Sequence, residues 1–212
     1  DDYIYVSGFT FDGNSANNTA GDCVTLRGIR PTLTDCIIKN AAERAVVTDW
    51  ILAGQPVGYG GLTGGQGFFE RITIANSQKT GWTHYAPTDS WFNCIDFLNC
   101  GLAADNTYYA FEILSNGRFS NIHPSNGAEY NIVPATGVRV VSNGNNFSNC
   151  HFEGGYVPLH VVGDGNVFEN CDYYAPRGNM CIDLSGTGNR ITGITGATYF
   201  GGNPNYKGIL LR

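Results

Sequence analysis

One short phrase occurs twice in this chain and constrains its fold more than any other feature. Residues 146–152 read NFSNCHF and residues 166–173 read NVFENCDY, so that Cys150 and Cys171 hold the same place 21 residues apart. Each copy ends in an apolar–polar–apolar triplet, which predicts a half-buried β-strand. A spacing of about 20 residues is the size of one solenoid unit. The phrase therefore predicts a fold of stacked, repeated strands.

Similar triplets recur along the whole chain, and each is followed by a second one. The first set is residues 9–11, 36–38, 72–74, 95–97, 122–124, 150–152, 171–173 and, more weakly, 194–196. The second set is residues 24–26, 46–48, 82–84, 111–113, 138–140, 159–161, 182–184 and 209–211. A shorter third strand is predicted at 145–147, 166–168 and 189–191, after turns rich in glycine and asparagine.

The repeat favours one architecture over other β folds. No helical period persists, and the 29 glycines disfavour helices. A sandwich or barrel needs no matched phrase at a fixed offset. We therefore predict an all-β fold, a single-stranded right-handed parallel β-helix of about eight coils with three short parallel sheets.

The same register predicts which side chains stack inside this fold. Cys36, Cys150 and Cys171 share one inward column and are expected to be free, buried thiols. Four asparagines lie four residues after a triplet start and should form a ladder at one bend: Asn40, Asn76, Asn99 and Asn126. Asn145 is expected to be an exposed turn residue, and His84 a hydrogen-bonded core histidine.

Composition narrows the classes of function. Charged residues make up 14% of the chain, against about 25% in average domains, and the net charge is −6. A net negative chain without clustered Lys and Arg argues against a nucleic-acid partner, and no apolar run is long enough for a membrane span.

The strand pattern reaches both ends without polar caps. We expect residues 1–212 to be one β-helical trunk fragment of a longer protein, with a glycine-rich insertion at 51–68.

Three stretches resemble a known superfamily. They are residues 5–14 (YVSGFTFDGN), 81–90 (GWTHYAPTDS) and 150–155 (CHFEGG). They are similar to coils of the pectate-lyase-like right-handed β-helix proteins, notably phage tailspikes and polysaccharide depolymerases. The resemblance implies a homotrimeric phage-tail protein of the virion that acts outside the host cell. Its partner would be a bacterial surface polysaccharide (capsule, O-antigen or exopolysaccharide), and it would need no cofactor.

The middle residue of each triplet should point outward, and ionisable residues concentrate in the middle repeats. In the first row these are Asp96, His123, His151 and Asp172, and in the second row Glu112, Arg139, His160 and Asp183. Such a patch is more than surface exposure alone predicts. We expect Asp96, His123, His151, Arg139, His160 and Asp183 to bind substrate.

We assign catalysis to Glu153 and Asp172. Glu153 lies two residues beyond His151, and Asp172 lies one repeat above it, so their backbones should be about 8 Å apart. That separation falls in the roughly 6.5–9.5 Å range of inverting glycosidases, not the roughly 5 Å of retaining ones. Glu112 is the reserve candidate.

Several other functions remain open or are disfavoured. The same surface could serve a non-catalytic adhesin or trunk. It could also serve a lyase or epimerase that acts on uronates; such enzymes neutralise the sugar carboxylate, and Arg139 is the one Arg or Lys among the outward residues of the two rows. No HxH or HExxH pattern offers a zinc site, so no metal is expected. The sequence also has no Gly-x-Ser-x-Gly elbow and no phosphate-binding loop.

Overall fold

The computed structural model describes residues 3–28, 30–49, 65–125, 135–175, 180–194, 196–199 and 207–211, and these residues form strands and turns. In chain order the strands are β1 (Tyr3–Ser7), β2 (Thr10–Asp12), β3 (Val24–Arg27), β4 (Arg30–Lys39), β5 (Val46–Asp49), β6 (Phe68–Ala75), β7 (Trp82–His84), β8 (Ser90–Leu98), β9 (Tyr109–Ile113), β10 (Gly117–Ser125), β11 (Thr136–Val140), β12 (Asn146–Ser148), β13 (His151–Glu153), β14 (Val157–Val161), β15 (Val167–Glu169), β16 (Asp172–Ala175), β17 (Met180–Leu184), β18 (Arg190–Thr192), β19 (Gly196–Tyr199) and β20 (Lys207–Leu211). Residues 51–64 of the predicted insertion lie outside the described part, and its last residue, Phe68, begins β6. No segment of the described chain forms a helix long and apolar enough to cross a membrane.

Among the described residues the strands form three sheets, and each strand pairs in parallel with the strand one repeat away. The first sheet has nine strands in the order β1-β4-β6-β8-β10-β12-β15-β18, with β2 also paired to β4. The second sheet contains β3-β5-β7-β9-β11-β14-β17-β20, and the third contains β13-β16-β19. The all-β class and the parallel sheets are as predicted. This strand order is compatible with a solenoid.

The first sheet bends at one residue in each repeat. Six residues in this position adopt a left-handed backbone with φ between 52° and 55°: Asp35, Arg71, Cys94, Asn121, Asn149 and Asn170. In β4, β6, β8 and β10 the strand continues through the bend, whereas later repeats divide there into β12 and β13 or β15 and β16. The third sheet is therefore the continuation of the first beyond this bend.

The core is a set of side-chain columns that follow the strand register. Phe92, Phe119, Phe147 and Phe168 stack face to face with ring centroids 4.8, 4.6 and 4.7 Å apart. Those distances match the spacing of neighbouring strands, because each phenyl ring lies over its counterpart one repeat away. The two inward residues of the Cys150 triplet, Cys150 and Phe152, are buried, and the three predicted inward cysteines are free and buried. The predicted inward register is confirmed here.

Two asparagine ladders run along the sheets. In the predicted one, the Nδ2 of Asn76 donates to Asn40 Oδ1 and that of Asn99 to Asn76 Oδ1, both at 3.4 Å; Asn126 lies outside the described residues. The second ladder was not predicted. Asn145 and Asn166 belong to it and are only 1% and 0% exposed, so the expectation of an exposed Asn145 is wrong.

Two details of the predicted register are also wrong. The weak triplet 194–196 should pair residue 195 with Asp172, but Asp172 pairs with Gly196, because the preceding turn holds one extra residue. In the second sheet Val47 and Thr83 are buried although they occupy outward positions. Thr83 lines a cavity of about 330 Å³ together with Arg44 and Tyr108.

Candidate functional site

Five ionisable side chains meet on the outer face where the first sheet passes into the third. β8 and β10 place Asp96 opposite His123, and β13 and β16 place His151 opposite Asp172. The two imidazole rings are neighbours, with centroids 4.9 Å apart and planes at 76°. Glu153 lies two residues after His151 and so on the same side of β13. We call these five residues the His–carboxylate cluster.

His151 contacts a carboxylate at each of its ring nitrogens. Its Nδ1 is 2.6 Å from Oδ2 of Asp172, and its Nε2 is 3.1 Å from Oε2 of Glu153. The structure therefore brings the two proposed catalytic carboxylates into one cluster, with an imidazole between them. Proton exchange between Glu153 and Asp172 has a direct route through this ring.

Glu153 is shared between both histidines. Its Oε2 is also 3.5 Å from Nε2 of His123, whose Nδ1 is 3.5 Å from Oδ1 of Asp96. The contact with His123 is the main reason why the pKa of Glu153 lies below its usual value; partial burial opposes this, and His151 adds to it. The same contact raises the pKa of His123. Glu153 is therefore held as an ionised carboxylate.

The cluster borders an open cavity of about 370 Å³. Its lining residues are Cys94, Asp96, Asn121, Ile122, His123, Asn149 and His151. Cys94, Asn121 and Asn149 are bend residues with a left-handed backbone, so the bend that turns the first sheet also shapes the cavity. Sequence reasoning missed these three. The available signal was the asparagine that directly precedes a triplet at 121, 149 and 170.

No protein-family model, no curated protein and no solved structure matches this chain. What the site can do therefore follows from its own geometry. Carboxylate oxygens and imidazole nitrogens on the edge of an open cavity can exchange protons with a bound molecule. The same atoms are also ligands for a cation.

The other predicted site residues lie in a row on the second sheet. By register Glu112 is opposite Arg139, Arg139 opposite His160, and His160 opposite Asp183. Oε1 of Glu112 is 2.6 Å from Nη1 of Arg139, whose guanidinium carbon is 5.1 Å from the ring centroid of Tyr109. Asp183 is only 7% exposed, so its predicted outward exposure is wrong. The reserve catalytic residue, Glu112, is therefore held in an ion pair on another sheet.

An exposed aromatic surface lies on the first sheet and shares β8 and β10 with the cluster. Phe68 is opposite Trp91 and Trp91 opposite Arg118, and the Arg118 guanidinium carbon is 4.6 Å from the Trp91 ring centroid. Trp91 is 45% exposed and borders a cavity of about 530 Å³ together with Tyr3 and Phe68. β8 thus carries Trp91 before the bend and Asp96 after it. One strand therefore carries an exposed aromatic ring on one side of the bend and an ionisable side chain on the other.

Proposed function

We propose that this chain is part of a phage tailspike that binds and hydrolyses a bacterial surface polysaccharide. The His–carboxylate cluster on an open sheet face is the observation that carries the proposal. Carboxylates and imidazoles can hydrogen-bond sugar hydroxyls, and the part of the Trp91 ring that Arg118 leaves uncovered offers an apolar surface for the C–H side of a sugar. An elongated, open surface suits an extended polymer better than a small ligand, which proteins usually enclose.

The proposal includes the finer architecture. We propose that the parallel sheets form a right-handed β-helix of about eight coils, a trunk fragment of a longer homotrimeric protein in the virion. The pairing of strands one repeat apart in the first and second sheets supports it. Crossover connections between parallel strands of one sheet are right-handed in nearly all proteins, which supports the handedness.

Within the cluster we propose Glu153 and Asp172 as the catalytic carboxylates, with Asp96 and His123 contacting the sugar. Because Glu153 and Asp172 contact opposite nitrogens of His151, they are farther apart than the roughly 5 Å of a retaining pair. This favours inversion at the cleaved carbon. Arg139 and His160 would contact a more distant part of the polymer, on the second sheet, whereas Asp183 is buried and is not part of this contact.

One observation favours a second candidate, a glycan-binding surface without catalysis. An inverting hydrolase needs room for a water molecule and a sugar between its two carboxylates. Here the ring of His151 occupies the space between Glu153 and Asp172. A lyase acting on uronates gains less support, because the guanidinium of Arg139 is already paired with Glu112.

Incubation with a panel of capsular, O-antigen and exopolysaccharides, followed by sizing of the products, tests the proposal. We expect one polysaccharide to be shortened, with new reducing ends and without the ultraviolet absorbance of unsaturated lyase products. Glu153→Gln and Asp172→Asn should each slow cleavage by about 10²–10⁴-fold, the usual contribution of acid–base groups, while binding persists.

Glu169→Gln is the matched control. Glu169 is an outward carboxylate on the first sheet that pairs with Arg190, away from the cluster. Full activity of both the Glu153 and the Asp172 variants would exclude them as the catalytic pair. Binding of a polysaccharide without any shortening would instead support the non-catalytic candidate.

A further inference from the structure

Three electron-pair donors converge in the His–carboxylate cluster. His123, His151 and Glu153 each offer one ligand atom, and these atoms all lie within 4.8 Å of one another. Oε2 of Glu153 is 3.1 Å from Nε2 of His151 and 3.5 Å from Nε2 of His123. Ligands bound at about 2.1 Å in a tetrahedral zinc site are about 3.4 Å apart. Two of the donor–donor distances, 3.1 and 3.5 Å, are therefore close to that length.

The opposite nitrogen of each ring faces another carboxylate. Nδ1 of His151 is 2.6 Å from Asp172, and Nδ1 of His123 is 3.5 Å from Asp96. When a neutral ring donates its Nδ1–H to such a carboxylate, its Nε2 lone pair points at Oε2 of Glu153. Two lone pairs repel unless a cation lies between them. Carboxylates behind metal-binding imidazoles hold the rings in this orientation in many metal sites.

We propose that His123, His151 and Glu153 bind one divalent transition-metal ion of the zinc class. Two imidazoles and one carboxylate form a ligand set that zinc enzymes use, and it leaves further positions for water or substrate. The adjoining cavity of about 370 Å³ gives those positions access to solvent. Calcium and magnesium fit less well, because they prefer oxygen ligands alone.

This metal site shares its residues with the proposed hydrolytic site, but its evidence is the donor geometry and does not rest on the proposed hydrolysis. If the ion is bound, Glu153 is a metal ligand, and Asp172 and Asp96 are positioning residues that orient the two imidazoles. A metal ion would also explain why three donors approach each other on an otherwise solvated sheet face. The alternative explanation is a proton shared between the carboxylate and the imidazoles.

Titration of the untagged, chelator-treated protein with Zn²⁺ in a calorimeter tests the site. We expect one Zn²⁺ per chain, and Co²⁺ in its place should give the visible absorption of a nitrogen–oxygen site. His123→Gln and His151→Gln should abolish the stoichiometric binding. Asp172→Asn should weaken binding about 10–100-fold, as removal of such a supporting carboxylate does elsewhere.

His160→Gln is the matched control. It replaces the same type of residue by the same amide, but on the second sheet, so Zn²⁺ binding should be unchanged. Circular dichroism should show that all variants fold. Two results would overturn the metal site: stoichiometric Zn²⁺ binding that persists in both the His123 and His151 variants, or no Zn²⁺ binding by the unmodified chain. Either result would mean that a shared proton, and not a metal ion, holds the three donors together. Polysaccharide cleavage by the chelator-treated protein separates the two proposals, because it would uphold hydrolysis while removing any role for the metal in it.

Discussion

At the scale of single residues, a buried chain of hydrogen bonds determines the state of His84. The Trp82 indole N–H donates to Oγ1 of Thr48 at 3.1 Å, which leaves the hydroxyl hydrogen of Thr48 for Nδ1 of His84 at 2.7 Å. His84 is 0% exposed, and burial lowers its pKa to about 3. The ring is therefore neutral in the folded protein, as expected for the core histidine that the sequence predicted.

This neutral ring predicts a pH dependence of stability. An unfolded chain protonates His84 below about pH 6.5, whereas the folded chain does so only near pH 3. The unfolded state thus binds more protons in this window, and acid lowers the free energy of unfolding by at most about 1.4 kcal/mol per pH unit from this group. Urea unfolding between pH 7 and pH 4 measures it.

His84→Gln removes the titrating group and supplies the comparison. The free energy of unfolding of this variant should fall less steeply with acid than that of the unmodified protein, whatever its absolute value at pH 7. Equal slopes for the two proteins would show that His84 does not contribute.

At the scale of strands, buried and partly buried asparagine side chains connect the start of one strand to the start of the next. Oδ1 of Asn145 accepts the Gly117 N–H, Oδ1 of Asn166 accepts the Asn145 N–H, and Oδ1 of Asn189 accepts the Asn166 N–H, at 2.8–2.9 Å. An unpaired buried N–H is costly, since no water replaces the lost partner. These side chains therefore help to keep the strands in register although the repeats differ in length.

Asn166→Ala should destabilise the protein by about 1–3 kcal/mol, because it leaves the buried N–H of Asn145 without its acceptor. Asn143→Ala is the matched control: Oδ1 of Asn143 accepts the Asp164 N–H at the same 2.8 Å, but in an exposed turn. Water can replace this acceptor, so the change should cost much less. Denaturant unfolding measures both, and equal losses would contradict a special role of the buried ladder.

At the scale of the whole molecule, apolar and ionisable surfaces occupy different parts of the first sheet. Phe9, which the triplet pattern predicts to point inward, is 58% exposed just before β2, and Ile37 on β4 is 46% exposed. His123, His151 and Asp172 occupy the outward row of Ile37 later in the chain. Exposed apolar side chains that lie close together often mark contacts between proteins. The proposed trimer would bury such a surface.

The trimer predicts a mass in solution near three times the chain mass of 22.9 kDa, measured by light scattering. Ile37→Asp places a charge on this apolar surface without entering the core and should shift the mass toward one chain. Thr25→Asp, at an exposed position of the second sheet, should leave the mass unchanged. A monomeric mass for the unmodified protein would contradict the proposed trimer.

Much of the site could be anticipated from the repeat alone. Alternation along the strands places Asp96, His123, His151 and Asp172 in one outward row, and it places Glu153 on the same face as His151. Their mutual contacts could not be anticipated. The spacing rules for zinc sites consider ligands close in sequence, whereas Glu153 reaches His123 across 30 residues. That contact depends on the side-chain conformations at the bend.

The sequence by itself determined the all-β class, the parallel repeats and the inward column of cysteines, because a period-two alternation repeated at solenoid spacing has one consistent buried face. Only the tertiary structure decided the burial of Asn145, the one-residue shift before Gly196 and the sharing of Glu153 between two imidazoles. These features depend on how turns of unequal length stack on one another. Stacking sets distances between residues far apart in the chain, which local periodicity does not encode.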